Sequence, residues 1–208
     1  MKRKKSLHSV YRHFEERDPV LFPVLAGMEL TRLCREEDVS LYFSKLCREI
    51  ISQQLGSRAA AAIAERFTGL FDGTGATPAG VLEFSEEALR GTGMSWAKAR
   101  SVRDLAERVA AEEVCLHALA GLDDEAAIAE LTKIKGIGRW TAEMFLIFTL
   151  GREDVFSFGD LGLKKGMEMI YGKRRAAAPR AVGRITALWA PYRSYGALAV
   201  WHVADRAK

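Results

Sequence analysis

The sequence predicts an all-α fold, and three observations lead to that prediction. Apolar residues recur at intervals of three and four through nearly all of the 208 residues, which is the spacing of one face of a helix. Residues that start helices (Ser, Asp, Pro) and that end them (Gly) bracket these periodic stretches. The strict alternation that marks a half-buried strand is nearly absent. We therefore predict roughly nine or ten helices.

Each predicted helix has a start signal, a periodic stretch or both. Ser40, Ser85, Ser95 and Asp123 stand where N-caps are expected, and the Ala-rich stretch that begins at Ser57 has strong helix propensity. Pro179 and Pro191 stand where the last two helices begin. The predicted ranges are 39–51, 57–71, 85–91, 95–111, 123–134, 140–150, 161–171, 179–189 and 191–204, with a loop over 72–78.

Length and composition exclude several classes of protein. Hydrophobic residues make up 49% and charged residues 28%, as in globular proteins that bury a core without disulfides or metals. No apolar run approaches the ~20 residues of a membrane span, and the basic start lacks the apolar stretch of a secretory signal. Three cysteines at irregular spacing suit neither a disulfide framework nor a zinc site. We expect a reduced cytoplasmic protein without a metal site, nucleoid-associated if prokaryotic.

The charge distribution is compatible with a nucleic-acid partner. The net charge is +4, but residues 161–208 hold ten basic and two acidic residues and so carry +8. A solvated basic face explains this equally well, and charge alone does not decide between the two.

The most informative segment is 131–142, where an apolar helix end is followed by Gly-Ile-Gly and a new helix. Gly136 and Gly138 can adopt backbone angles that other residues avoid, and neither has a Cβ to hold another molecule away. Ile137 can fill the groove between the two helices. The amides of the turn and of the new helix then point outward, as a phosphate site requires.

Two interpretations of this segment remain. A tight turn between helices also favours glycine, and the glycines alone would suggest no more than that. The residues around them favour phosphate binding instead; the phosphate-binding candidates are Lys133, Lys135, Gly136, Ile137, Gly138, Arg139 and Thr141.

Five segments, in the same order, resemble motifs of the helix–hairpin–helix DNA glycosylase superfamily. They are ISQQL at 51–55, GMSWAKA at 93–99, LTKIKGIGRWTA at 131–142, VFSFGD at 155–160 and WAPYRSYGA at 189–197. Five motifs in order are far more specific than any one of them. The resemblance covers roughly residues 40–205 and is closest to the 3-methyladenine DNA glycosylase II, or AlkA-like, branch.

The resemblance implies a compact two-lobed helical fold. Residues 36–208 would form the glycosylase domain, with the active-site cleft between its lobes, and residues 1–35 a basic helical segment packed on it. The stretch before residue 40 is expected to be too short for the extra N-terminal β domain of some members.

The resemblance makes Asp160 the catalytic candidate. A fixed carboxylate can stabilise the sugar cation that forms when an N-glycosidic bond breaks. Asp160 also stands where a helix N-cap belongs, and the two roles are compatible because a helix N-terminus favours negative charge. Ser157 departs from the family, which usually has proline in this loop.

Further roles follow from the resemblance. It places the DNA-intercalating residue at Leu55, beside Gln54, although Leu55 could instead be core at a helix junction. It places Trp201 against the flipped base, with Trp140 as a second wall and Met144 where some relatives have an aromatic pocket residue. Trp96 and Trp189 are expected to be core residues.

The same resemblance limits the chemistry. Relatives that also cut the backbone carry a lysine nucleophile where this chain has Trp140, which cannot form a Schiff base. Members with an iron–sulfur cluster need four closely spaced C-terminal cysteines, and no cysteine follows Cys115. We expect no cofactor and no lyase activity.

The predicted function is that of a monofunctional DNA glycosylase in base excision repair. It would act as a monomer on duplex DNA, flip alkylated bases such as 3-methyladenine out of the helix, and hydrolyse the N-glycosidic bond. One alternative is a non-catalytic helix–hairpin–helix DNA-binding module, which leaves Asp160 and Trp201 without a role. The other is a glycosylase of the same fold for deaminated or mismatched bases.

Overall fold

The computed structural model describes residues 7–33, 38–71, 75–173 and 178–206. Within these ranges the chain is helical and has no β-strand, which confirms the all-α prediction. Two 3-10 helices, Gly69–Phe71 and Leu116–Gly121, accompany the α-helices. The α-helices are α1 Leu7–Arg17, α2 Phe22–Ala26, α3 Ser40–Ser52, α4 Ser57–Thr68, α5 Pro78–Leu82, α6 Glu86–Gly91, α7 Trp96–Ala110, α8 Asp124–Leu131, α9 Arg139–Phe148, α10 Leu161–Tyr171, α11 Pro179–Ala187 and α12 Arg193–Arg206. In the described part of the chain, no helix has the length and apolar character needed to cross a membrane.

The chain divides into two compact units. The first, here called the terminal unit, joins Met1–Cys34 to Gly151–Lys208. The second, the middle unit, is Arg35–Leu150. The N-terminal segment therefore belongs with the C-terminal part of the chain.

The terminal unit has an aromatic core around Trp189. This side chain is fully buried, as predicted, and Phe14 of α1 and Phe156 pack on it with ring-centroid distances of 6.1 and 5.6 Å. Leu163 and Met167 of α10 belong to the same cluster. Residues from both ends of the chain thus share one core.

A buried carboxylate, Asp18, ties the N-terminal segment to the C-terminal helices. Its Oδ2 accepts hydrogen bonds from the Tyr171 hydroxyl at 2.5 Å and from the Trp189 indole N–H at 2.6 Å. Its Oδ1 accepts the amides of Val20 and Leu21 at 3.2 and 3.1 Å. These four donors replace the water that the carboxylate loses on burial.

The middle unit packs α3 against α9. Tyr42 and Leu46 of α3 and Phe145 of α9 are fully buried, and the rings of Tyr42 and Phe145 meet edge to face at 5.6 Å. This packing brings the C-terminal end of α3 to the turn that precedes α9. Trp96, expected in the core, is instead 40% exposed, with the Arg90 guanidinium 5.1 Å from its ring centroid.

The predicted helix starts hold except at Ser40 and Pro191; the last helix begins at Arg193, and Pro191 lies in the turn before it. Ser85, Ser95, Asp123 and Asp160 each accept the amide of the residue three positions later, as N-caps do. The prediction for Ser40 is wrong, because Ser40 is the first residue of α3 and makes no cap. The upstream carboxylate of Asp38 accepts both its amide and its hydroxyl, at 3.0 and 2.6 Å, and a charged acceptor forms the stronger bond.

Some helices were not predicted, and some predictions fall outside the described residues. The predicted ranges omit α1, α2 and α5, of which α2 and α5 have only five residues each. Part of the predicted 72–78 loop lies outside the described residues. So do Cys34 and three members of the basic C-terminal quarter: Arg174, Arg175 and Lys208.

The Asp18 anchor predicts a large loss of stability when the carboxylate is removed. Asp18→Ala leaves the buried donors of Tyr171 and Trp189 without an acceptor and should lower the free energy of unfolding by about 3–5 kcal/mol. Urea denaturation measures this change. The control Glu16→Ala, on the exposed side of α1, should change the free energy of unfolding by less than about 0.5 kcal/mol. Equal stability of Asp18→Ala and the unmodified protein would contradict the anchor.

Candidate functional site

Asp160 caps α10 and is almost fully buried. Its Oδ1 accepts the Leu163 amide at 2.7 Å, and only 8% of the residue is exposed. The predicted N-cap role is therefore confirmed. The helix N-terminus places partial positive charge beside the carboxylate.

Trp201 of α12 donates a second hydrogen bond to the same oxygen. The distance from its Nε1 to Asp160 Oδ1 is 3.0 Å. The indole therefore fixes the orientation of the carboxylate, a contact that the predicted stacking role did not include. A Cβ at Gly162 would lie 3.1 Å from Asp160 Oδ1 and 3.2 Å from Trp201 Cδ1, so the absence of a side chain at position 162 leaves this pair undisturbed.

Apolar side chains flank the carboxylate on the surface of the terminal unit. Phe158 is 60% exposed and Leu161 is 80% exposed, although both are large and apolar. The ring of Phe158 rests edge-on against the buried Phe156 at 5.0 Å, which holds it in place. Two exposed apolar side chains thus lie within two residues of Asp160 in sequence.

The loop that carries Asp160 is held at its start by Ser194. The Ser194 Oγ accepts the Val155 amide at 2.9 Å and donates to the Arg152 carbonyl at 2.6 Å. Ser157, which stands where the family usually has proline, is fully buried, and its hydroxyl has no hydrogen-bond partner among the described residues. The loop is thus fixed by contacts at Val155 and Phe156 without a proline.

Of the two glycines in the turn between α8 and α9, only one is required by the packing of the protein. Gly136 has φ +83°, and a Cβ there would overlap the Ser101 hydroxyl of α7, so both backbone and packing demand glycine. A Cβ at Gly138 would meet nothing within 4 Å. Ile137 between them is buried, as predicted. Packing inside the protein therefore does not require glycine at position 138, which is the N-cap of α9, a position where glycine is common.

The cations beside this turn are less available than the sequence suggests. Lys133 Nζ lies 2.6 Å from Glu130 Oε2, and the bond lowers the pKa of that carboxyl. Arg139 donates to Glu125 and to Glu143, each at 2.9 Å, and its hydrogen bond lowers the pKa of Glu125. Two of the three predicted phosphate-binding cations therefore carry acidic partners here.

The other two polar candidates of the turn are also engaged within the protein. The amide of Lys135 donates to Asp104 Oδ2 at 2.7 Å, while its side chain is exposed. Thr141 is buried, and its hydroxyl accepts a hydrogen bond from Gln53 Nε2 at 3.2 Å. The N-cap of α9 is Gly138, which has no side chain, so no side-chain hydrogen bond caps that helix. The exposed Lys135 side chain and the backbone amides at the start of α9 are therefore the candidates of the turn for phosphate contact.

The predicted intercalating segment is an exposed turn after α3. Leu55 is 39% exposed, so it is not the core residue of the alternative interpretation. Gln54 has φ +56°, a left-handed conformation that costs a non-glycine residue about 1–2 kcal/mol. The turn therefore holds an apolar side chain outward on a strained backbone.

The three predicted pocket residues belong to different units. Trp201 lies in the terminal unit beside Asp160, whereas Trp140 and Met144 are on α9 of the middle unit. Trp140 is 43% exposed and Met144 only 5% exposed. Their joint pocket remains a prediction.

Two residues that organise the middle unit were not among the predicted site residues. Lys98 donates to backbone carbonyls at the end of α3, and Gln53 donates to the α8–α9 turn. Both lie inside motifs quoted for the resemblance, at 51–55 and 93–99. Their presence in those motifs was the available signal.

Both the sequence and the fold of the chain are similar to those of known proteins. The profile of the HhH-GPD superfamily base excision DNA repair protein matches residues 47–191. DNA-3-methyladenine glycosylase 1 of Schizosaccharomyces pombe is 34% identical over 167 residues, which cover 79% of this chain and 73% of that protein. Among solved structures, DNA-3-methyladenine glycosidase from Bacillus halodurans gives a TM-score of 0.81 at 34% identity, covering 94% of this chain and 88% of that one. The S. pombe 3-methyladenine DNA glycosylase in complex with abasic DNA gives 0.76 at 30% identity, covering 93% and 95%.

The two buried serines near Asp160 predict opposite effects on stability. Ser157→Ala removes a buried hydroxyl that has no protein partner and should leave the protein equally stable or stabilise it by about 1 kcal/mol. Ser194→Ala removes a hydroxyl with two short bonds and should destabilise it by about 1–3 kcal/mol. Thermal unfolding of the two variants compares them directly. A larger loss at Ser157 than at Ser194 would contradict this description of the loop.

Proposed function

The chain belongs to the HhH-GPD superfamily of base excision DNA repair proteins, and we propose that it removes alkylated purines from duplex DNA by hydrolysing the N-glycosidic bond. The observation that carries this proposal is the carboxylate of Asp160, fixed at a helix N-terminus by Leu163 and Trp201. The relatives named as 3-methyladenine glycosylases support the choice of alkylated purines.

The geometry suits a reaction that develops positive charge on the sugar. As the base leaves, charge builds at C1′ of the deoxyribose, and a nearby carboxylate that is already oriented stabilises it. Water then bonds to C1′ and loses a proton. A purine alkylated at N3 or N7 already carries positive charge, so it leaves without strong help from a general acid. One carboxylate can therefore suffice.

The base must leave the helix before this chemistry can occur. An apolar side chain that enters the stack can fill the space of the flipped nucleotide, and Leu55 is exposed on a turn suited to that role. The α8–α9 turn offers backbone amides for a phosphate. The indole of Trp201, next to Asp160, offers a ring for a cationic base, an attraction worth about 1–2 kcal/mol.

Base release from a panel of lesions tests the proposal. Duplexes containing 3-methyladenine, 7-methylguanine, hypoxanthine, ethenoadenine or uracil should lose the two methylated purines fastest. Asp160→Asn keeps both hydrogen bonds at Oδ1 but removes the charge. It should lower release by at least ~10²-fold with little change in stability, because electrostatic stabilisation of this kind is worth about 2.7–4 kcal/mol.

Glu168→Gln on the same helix is the matched control, since it makes the same chemical change two turns away. It should retain near-normal release. Preferential release of uracil or hypoxanthine would favour the alternative for deaminated bases, and near-normal release by Asp160→Asn would remove this residue from the mechanism.

We also propose that the reaction stops at base removal. Trp140 replaces the lysine nucleophile of bifunctional relatives, and Lys164 and Lys165, which follow Asp160 by about one helical turn, are exposed. The expected product is free base and an intact abasic strand. Borohydride should trap no protein–DNA adduct above that of an unrelated basic protein, because no imine forms. A strong adduct that disappears in Lys164→Gln or Lys165→Gln would overturn the monofunctional assignment.

A further inference from the structure

We propose that Lys98 and Gln53 are positioning residues that lock the intercalating turn, residues 53–56, to the helix–hairpin–helix. This inference rests on the proposed function, because it concerns how the protein opens the duplex rather than how it cleaves the bond. It assigns the two residues no direct role in chemistry.

Lys98 holds the backbone of the turn. Its Nζ donates to the carbonyls of Ile51 at 2.8 Å and Gln53 at 2.6 Å. Carbonyls at a helix C-terminus have no helical partner, and a cation there also offsets the negative end of the helix dipole. Desolvation lowers the pKa of Lys98, as expected for an ammonium that has exchanged water for carbonyls.

Gln53 connects the turn to the hairpin. Its Nε2 donates to the Gly136 carbonyl at 3.0 Å and to Thr141 Oγ1 at 3.2 Å. Gly136 lies in the α8–α9 turn, and Thr141 lies in the first turn of α9. The Gln53 side chain therefore bonds to residues on both sides of Gly138 in the predicted phosphate-binding turn. The backbone carbonyl of Gln53 accepts the hydrogen bond from Lys98.

One helix, α7, supports both segments. Lys98 contacts the intercalating turn, and Ser101 lies directly beneath Gly136. Asp104 accepts the amide of Lys135 at 2.7 Å. These three residues are spaced three apart along α7 and so lie along one side of it. The turn and the hairpin are thus set at a fixed distance by a common support.

The strain in the turn explains why such support is needed. Gln54 is left-handed without being glycine, and Leu55 next to it is apolar and exposed. Neither feature stabilises the turn by itself, so bonds from neighbouring elements must hold it. A turn ordered before DNA arrives loses less conformational entropy when it enters the stack. The benefit applies only where a base pair must be opened.

Comparison of paired and unpaired lesions tests this inference. The same methylated purine is presented in a duplex and in a single-stranded oligonucleotide, where no base pair has to be opened. Lys98→Met and Gln53→Leu should each lower release from the duplex by about tenfold or more, the effect of losing one or two hydrogen bonds. Release from the single strand should fall by less than about threefold. Lys98→Arg, which retains charge and donors, should recover part of the duplex activity.

Arg100→Met is the matched control for lost charge. Arg100 is an exposed cation on α7 two residues beyond Lys98, so its removal should affect both substrates equally and weakly. An equal loss on both substrates for Lys98→Met and Gln53→Leu, or no loss on either, would overturn the positioning role while leaving the proposed function intact.

Amide hydrogen exchange tests the same inference without catalysis. The Leu55 amide donates to the Ser52 carbonyl and the Ile137 amide to the Ile134 carbonyl, which places one probe in each segment. Both amides should exchange faster in Lys98→Met and in Gln53→Leu than in Arg100→Met. Unchanged exchange would refute the inference even if the unmodified protein released no base at all.

Discussion

The close approach of α10 and α12 determines where the catalytic candidate stands. At Gly166 a methyl group would overlap the backbone carbonyl of Val200, so only glycine permits this separation of the two helices. One turn earlier, Gly162 faces the ring of Trp201, the residue after Val200. The two glycines therefore set the height of Trp201 along α10. The indole N–H can reach Asp160 only because the helices are this close, and a carboxylate without that bond would be held by its own helix alone.

The middle unit holds together two segments that are distant in sequence. There, the exposed Leu55 comes shortly after Gln53, which bonds directly to a glycine turn 83 residues away in sequence. Hydrogen bonds from α7 and Gln53 fix their separation, while acidic side chains hold Lys133 and Arg139 in place. The acidic partners of Lys133 and Arg139 reduce the local positive charge, whereas the side chain of Lys135 is exposed.

Local sequence signals made the bounds of α10 and the glycine at position 136 predictable. The bounds of α10 follow from Asp160 at its start and Gly172 after its end, and the structure gives the predicted range of 161–171. Gly136 was predictable for the same reason, since a positive φ is a local requirement.

Contacts between distant parts of the chain were not predictable in this way. Asp18 precedes a proline and has the local character of a surface turn, but two of its four donors come from residues 153 and 171 positions later. The pairing of Arg139 with Glu125 depends on how α8 packs beside α9. The resemblance identified Trp201 and Asp160 together, but the direction of the indole N–H is a property of the folded helices.

The anchoring of the N-terminal segment by Asp18 has a consequence for the order in which the protein is made. Ribosomes release the chain from its N-terminus, so α1 and α2 emerge long before Tyr171 and Trp189 exist. The middle unit, by contrast, is continuous in sequence and can form while synthesis is still under way. Phe14, Leu21 and Leu25 must remain without their core until the last helices are complete, and the closure of that long loop is slow compared with local contacts. The N-terminal segment can therefore complete its core only after the C-terminal helices have been synthesised.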